Sequence, residues 1–431
     1  MLGMLRRFAI TGFKSITKVE QDLPRLAVLA GPNAAGKSNF LDAVQALARL
    51  GTERTLSDAL APPIRGFPTE LFTLPQEGLP KLLKQSEATF IIEADLEAII
   101  GAGGDRKERL RYRVGVKIDP GKGTLTLVDE YLMRLTAKWE ARASEGPRVE
   151  RADSDNRVTL RQGSPSGHPR YEVHGNHTFL SDARLSGSRW RALDIAREEF
   201  RLWRTYYLDP SAAMREAVPP REVSDIGVRG QHIAPFLYGL KAKEPKKFEA
   251  VRRALRSVIP AVGSLDVDLD TKRGTLDVQI EQDGTVYSSR IVSEGTLRVL
   301  ALCAIAVTAD RGLIAFEEPE NGVQPQRLDK IAALLADAAI RGGAQIIVTT
   351  HSPYFMAAML EQARRPDVDG QSTNGKSDIG LFSVTRSGRS TVIKSLADPG
   401  LWEGEAINEL FDDPDEYDKI AAVARRGWLD L

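Results

Sequence analysis

Eight residues, Gly31-Pro32-Asn33-Ala34-Ala35-Gly36-Lys37-Ser38, constrain this chain more than any others. They fit G-x-x-x-x-G-K-[ST], which sets glycines where the backbone must curl and a lysine and a hydroxyl at its mouth. The apolar run Leu26 to Ala30 before it reads as a buried strand. Asn39 to Leu47 after it carries apolar residues at helical spacing. A strand, a glycine-rich turn and a helix make a cradle of backbone N–H groups for phosphate, aided by the helix N-terminus. In such a cradle Lys37 reaches the β- and γ-phosphates and the Ser38 hydroxyl holds a magnesium ion. Asn39 completes the expected nucleotide-binding set.

The second half of the chain supplies partners for that cradle. Gly312 to Phe316 is an apolar strand ending in two adjacent carboxylates, Glu317 and Glu318. Successive strand side chains point to opposite sides, so only one of them can face the metal directly. Glu317 takes that role, through metal-bound water, and Glu318 is placed to polarise an attacking water as general base. A further strand, Ala344 to Thr350, ends at His351. A polar group at the carboxyl end of a parallel strand faces the ligand crevice, so His351 is expected at the γ-phosphate or the attacking water. Ser293-Glu294-Gly295-Thr296 leads into an apolar helical run, Leu297 to Val307.

Between these ends the chain is mixed. Leu5 to Phe13 and Ser15 to Leu23 form an antiparallel entry, and five prolines break Leu60 to Leu82 into an irregular segment. Ala88 to Leu96, Leu110 to Ile118 and Thr124 to Leu135 read as a meander that could cover the nucleotide-binding sheet. Trp139 to Asp182, with interleaved arginines and acids, reads as a solvated, loosely structured insertion. A nucleic-acid or partner surface there is the rival. Trp190 to Tyr207 has helical spacing, Tyr206 to Asp209 looks like a strand stopped by Pro210, and helices are expected at Ile233 to Leu240 and Lys246 to Val258. A second meander covers Leu265 to Leu269, Thr275 to Glu281 and Val286 to Val292. His168, His174 and His177 lie close enough in sequence for zinc, but no cysteine is near and a loose loop is the favoured reading.

Lysine plus arginine and aspartate plus glutamate both number 59, so nothing global favours nucleic acid or membrane. Cys303, the single cysteine, excludes an intrachain disulfide, fits a reducing compartment and reads as core. With neither a spanning apolar run nor a secretion signal at the N-terminus, the expected location is the cytoplasm.

Together the motifs resemble the ABC-type ATPase heads of the SMC, RecF and OLD group, over about Met4 to Leu50 and Ile291 to Phe355. The implied fold is α/β: a P-loop NTPase with a mostly parallel central sheet flanked by helices, an antiparallel β subdomain, and an inserted α+β middle region. The expected divisions are an ATPase lobe at 1–135, an insertion at 136–262, a second ATPase lobe at 263–395 and an acidic helical tail at 396–431. The resemblance makes Gly31 to Ser38 Walker A and Ser293-Glu294-Gly295 the signature. It makes Glu317-Glu318 the end of Walker B, Glu320-Asn321-Gly322 the D-loop and His351 the switch histidine. Glu317 stands where most relatives carry aspartate, and Gln324 where many carry histidine. The arginine that follows Walker A in SMC heads could be Arg49 or Arg54.

The resemblance also implies ATP and Mg2+ as cofactors. Two heads would sandwich two ATP molecules, with Ser293 and the amides near Gly295 clamping a γ-phosphate held by the other copy, so a homodimer or larger homo-oligomer is expected. Heptad arms of SMC length are missing. Only some eighty residues follow His351, too few for the nuclease domain of OLD proteins. By analogy with stand-alone bacterial relatives, a nucleotide-gated switch for a separately encoded effector, a nuclease or toxin of anti-phage defence, is expected. A RecF-like ATPase that clamps DNA and an ATP-bound scaffold with little turnover are the alternatives.

Overall fold

The computed structural model describes residues 3–100, 106–142, 145–151, 157–161, 170–172, 175–364 and 378–396. Its centre is a six-stranded sheet in the order Arg204–Tyr206, Leu313–Glu317, Gln345–Thr350, Leu26–Ala30, Ile379–Ser387, Ser390–Ser395. The first five strands run parallel and the last is antiparallel to its neighbour. Parallel strands covered on both faces need apolar side chains on both, which explains why Leu26-Ala27-Val28-Leu29-Ala30 has no polar alternation. Leu26, Val28 and Ala30 face one core with the helix Glu294–Thr308, while Ala27 and Leu29 face the other with the helix Lys37–Leu50.

That second core is closed by an eight-stranded antiparallel sheet. It begins with Ile16–Asp22, Met4–Phe13, Ala88–Ile100, Arg106–Asp119 and Thr124–Leu135. Phe8 from this sheet meets Phe40 of the phosphate-loop helix edge to face at 5.3 Å, locking the two layers together. The expected meander therefore covers the parallel sheet and its first helix. Some described residues of the insertion form short strands that its composition does not suggest. Val149–Arg151, Arg157–Leu160 and Arg170–Glu172 extend the same sheet, since Val149, Val158 and Leu160 alternate into the core. Two further expectations are corrected. The strand before Asp209 is Arg204–Tyr206, which adds to the parallel sheet edge, and the last strand of the small three-stranded sheet is only Thr285–Ser288. Cys303 is buried core. The tail from 397 onward, His168 and His174 lie outside the described residues.

The insertion is pinned to the phosphate-loop helix at its buried end. Thr178 donates to the carbonyl of Leu50 at 2.7 Å, and the next two backbone N–H groups, of Phe179 and Leu180, donate to Glu130 at 2.7 and 2.9 Å. Burial pushes the Glu130 carboxyl up to about 7, against the pull of those two N–H donors. A carboxyl raised on folding adds stability below its unfolded value near 4.5 and loses it as pH rises through 7. The shift corresponds to about 3 kcal/mol at most. Urea midpoints should therefore fall between pH 5 and pH 8, and less steeply in Glu130→Gln; equal slopes would refute the assignment.

Candidate nucleotide site

Parallel register brings four chain segments to one sheet edge. Glu317 lies opposite Thr349, Thr350 opposite Ala30, and Tyr206 opposite Phe316. The phosphate loop, the Glu317-Glu318 pair, His351 and Tyr207 thus leave the sheet side by side, at the carboxyl ends where α/β folds bind ligands.

The loop is built as its glycines require. A Cβ on Gly31 would overlap the backbone carbonyl of Val384, and Gly36 adopts φ of +103°, open to glycine at little cost. Thr391, from the last strand, donates to the Ala35 carbonyl at 2.9 Å and exchanges a 2.7 Å hydrogen bond with Ser15. Asn39 donates to Ser15 at 2.7 Å. Asn39 thus helps fasten the loop. Lys37 is buried, its ammonium donating to the carbonyls of Gly31 and Pro32 at 2.8 and 2.9 Å. Pro32, Asn33 and Ala34 form the turn between the strand and Ala35.

The two carboxylates separate as expected, and by a sharper turn than alternation alone provides. Glu317 accepts a hydrogen bond from the Ser38 hydroxyl, 279 residues away in sequence. Glu318 leaves the strand at φ of +45°, a conformation few side chains adopt. Its Oε1 lies 2.8 Å from His351 Nδ1 and its Oε2 accepts from Asn321 at 2.7 Å. A base candidate held from both oxygens has one orientation available. Ser38 and Glu317 would hold a magnesium ion, since a hydroxyl and a carboxylate that already meet form the hard-oxygen donor pair it favours. When bound, that ion would neutralise charge on the phosphates.

Ser293 caps the helix Glu294–Thr308, its hydroxyl accepting from Thr296 N at 3.3 Å. Gly295 packs so closely on the segment after Asn321 that a Cβ would overlap the Gly322 carbonyl. Glu294 accepts from Ser211 at 2.6 Å. Glu294, Glu317, Glu318 and Asn321 share the wall of a cavity of about 540 Å³ with Arg65 and Tyr207. Next to it, burial pushes Glu320 up to about 7, with Thr350 donating to it.

Neither arginine weighed from sequence lies beside Ser38 and Glu317. Arg49 is engaged at the far end of its helix, with Ala59 and Asp58 carbonyls, and Arg54 is exposed. Arg65 stands there instead, donating to both oxygens of Glu317 at 3.0 and 3.1 Å. Its anchor is Asp42, fully buried on the phosphate-loop helix. Sequence patterns hid both: Arg65 sits in the proline-broken segment, and Asp42 shows only as a lone charge in a buried stretch. Among the described residues no cluster of histidine, cysteine and acidic side chains suits a metal ion, and His177 Nδ1 pairs with Asn176 at 2.9 Å.

A family model described as "AAA domain, putative AbiEii toxin, Type IV TA system" matches residues 26–357, well over half of the chain. The chain belongs to this AAA family. Among solved structures, it is similar to an Smc head bound to the C-terminal winged-helix domain of ScpA, at 15% identity and a TM-score of 0.51, covering 92% of this chain and 99% of that one. An Smc head with an extended coiled coil from Pyrococcus furiosus matches at 13% identity and TM-score 0.48, covering 92% and 96%. The recombination mediator RecF matches at 12% identity and 0.41, covering 92% and 99%. No curated protein matches. The fold of this AAA-family chain is accordingly that of an ABC-type head, a P-loop NTPase. No helix among the described residues is long and apolar enough to cross a membrane.

Proposed function

We propose that this chain is a magnesium-dependent ATPase that closes as a pair around ATP and relays its nucleotide state to a partner protein in the cytoplasm. One observation carries the reading: Glu317 meets Ser38 of the phosphate loop, while the next residue turns out of the strand onto His351 and Asn321. That arrangement supports a division of labour between a metal ligand and a base. Lys37 would neutralise the β- and γ-phosphates, and Glu318 would take the proton of an attacking water, with His351 and Asn321 fixing its carboxylate. Ser293 opens a helix whose N-terminus would suit an anion, and we assign it a second copy's γ-phosphate.

A partner effector is supported by the toxin–antitoxin wording of the family description and by the Smc head solved with a bound partner domain. A nuclease or toxin of anti-phage defence is the class we favour. The balanced charge of the chain offers no argument for DNA. The test measures phosphate release and sedimentation with ATP or ADP, each with magnesium. ATP alone should double the mass, and Lys37→Ala should abolish both doubling and turnover. A monomer that hydrolyses ATP at full rate would overturn the paired mechanism.

A further inference from the structure

Arg65 makes more contacts at this site than either expected metal ligand. Its Nη1 bridges both Glu317 oxygens at 3.0 and 3.1 Å, and its Nη2 donates to the Ser38 carbonyl at 3.0 Å. Nη2 also lies 3.2 Å from Asp42 Oδ2, and the guanidinium stacks over the Tyr207 ring at 4.8 Å from its centroid. The two residues it grips, Ser38 and Glu317, are those that would bind magnesium.

We propose that Arg65 is a resident cation that magnesium must displace, so that this arginine sets how much magnesium the site needs before it holds a nucleotide. The inference rests on the nucleotide reading above. Its physical basis is competition for one carboxylate. Each Glu317 oxygen that accepts from Nη1 has a lone pair fewer to offer a dication, and a guanidinium left in contact would face a like charge at close range. Displacement is possible because Arg65 has somewhere to go and something to hold it. It lines the cavity beside Glu317, and Asp42 and the Tyr207 ring retain it from the other side. Asp42 stays compensated during the shift, since Lys14 lies 2.5 Å from it and the Tyr207 hydroxyl donates to it at 2.8 Å. Both partners are independent of Glu317.

The experiment titrates magnesium against binding of a fluorescent ATP analogue to the full chain, read by anisotropy. Arg65→Met keeps the aliphatic stem on Tyr207 and removes the charge. It should lower the magnesium concentration at half-saturation roughly tenfold, the scale on which neighbours of metal ligands act. Arg65→Lys, which keeps a charge but loses the two-pronged grip, should fall between Met and the native chain. An unchanged or higher magnesium requirement in both variants would overturn the displacement model, with the nucleotide reading intact. Absence of analogue binding to the native chain at every magnesium concentration would overturn both.

Discussion

Glu318→Gln is expected to reduce ATP turnover by about 10²–10⁴-fold, the usual contribution of a positioned general base, and to accumulate an ATP-bound pair. The amide has the shape of the carboxylate but cannot accept a proton from water. Its oxygen can still take the hydrogen bond from Asn321, and its NH2 can face His351 Nδ1, so the turn at φ of +45° survives. Binding should therefore persist while the chemical step stops. Phosphate release and size-exclusion chromatography in ATP report the two halves of this result. Native turnover in the variant would move the base elsewhere, with His351 the next candidate.

Ser293→Glu should have the second largest effect, through a different step. The hydroxyl caps a 15-residue helix by accepting from Thr296 N, so its loss costs about 1 kcal/mol locally. A carboxylate there also sets negative charge where the partner's phosphate would dock and cancels the partial positive charge of the helix N-terminus. The isolated chain should bind nucleotide within about twofold of native, because in the proposed site Lys37, Ser38 and Glu317 would supply that affinity. ATP-driven pairing should vanish and turnover should drop about a hundredfold or more. Undiminished pairing would show that the signature segment takes no part in a composite site. Together the two variants separate proton transfer from assembly: one traps the pair and the other prevents it.

Much of the site was legible because its chemistry is written in short stretches. The loop from Gly31 to Ser38 carries its own geometry, and the Glu317-Glu318 pair is marked by an apolar strand that stops at two charges. The short strands within the insertion are hidden in the sequence for a complementary reason. They are three or four residues long and rich in arginine, so alternation is too brief to stand out until the neighbouring edge fixes the register.

Local backbone demands settle at the level of sequence: glycines permit a curl, an apolar run buries a strand, and a serine starts a helix. These determined the glycine-rich loop, the strand ends, the helix that Ser293 caps and the ABC-type head they imply. Only the tertiary structure decided that Arg65 grips Glu317, that Asp42 is its buried anchor, and that Thr391 braces a loop 356 residues before it. Such contacts join segments far apart in the chain, and their energy comes from charge and desolvation at the meeting point. Neither residue spacing nor propensity carries any trace of a partner that arrives through folding.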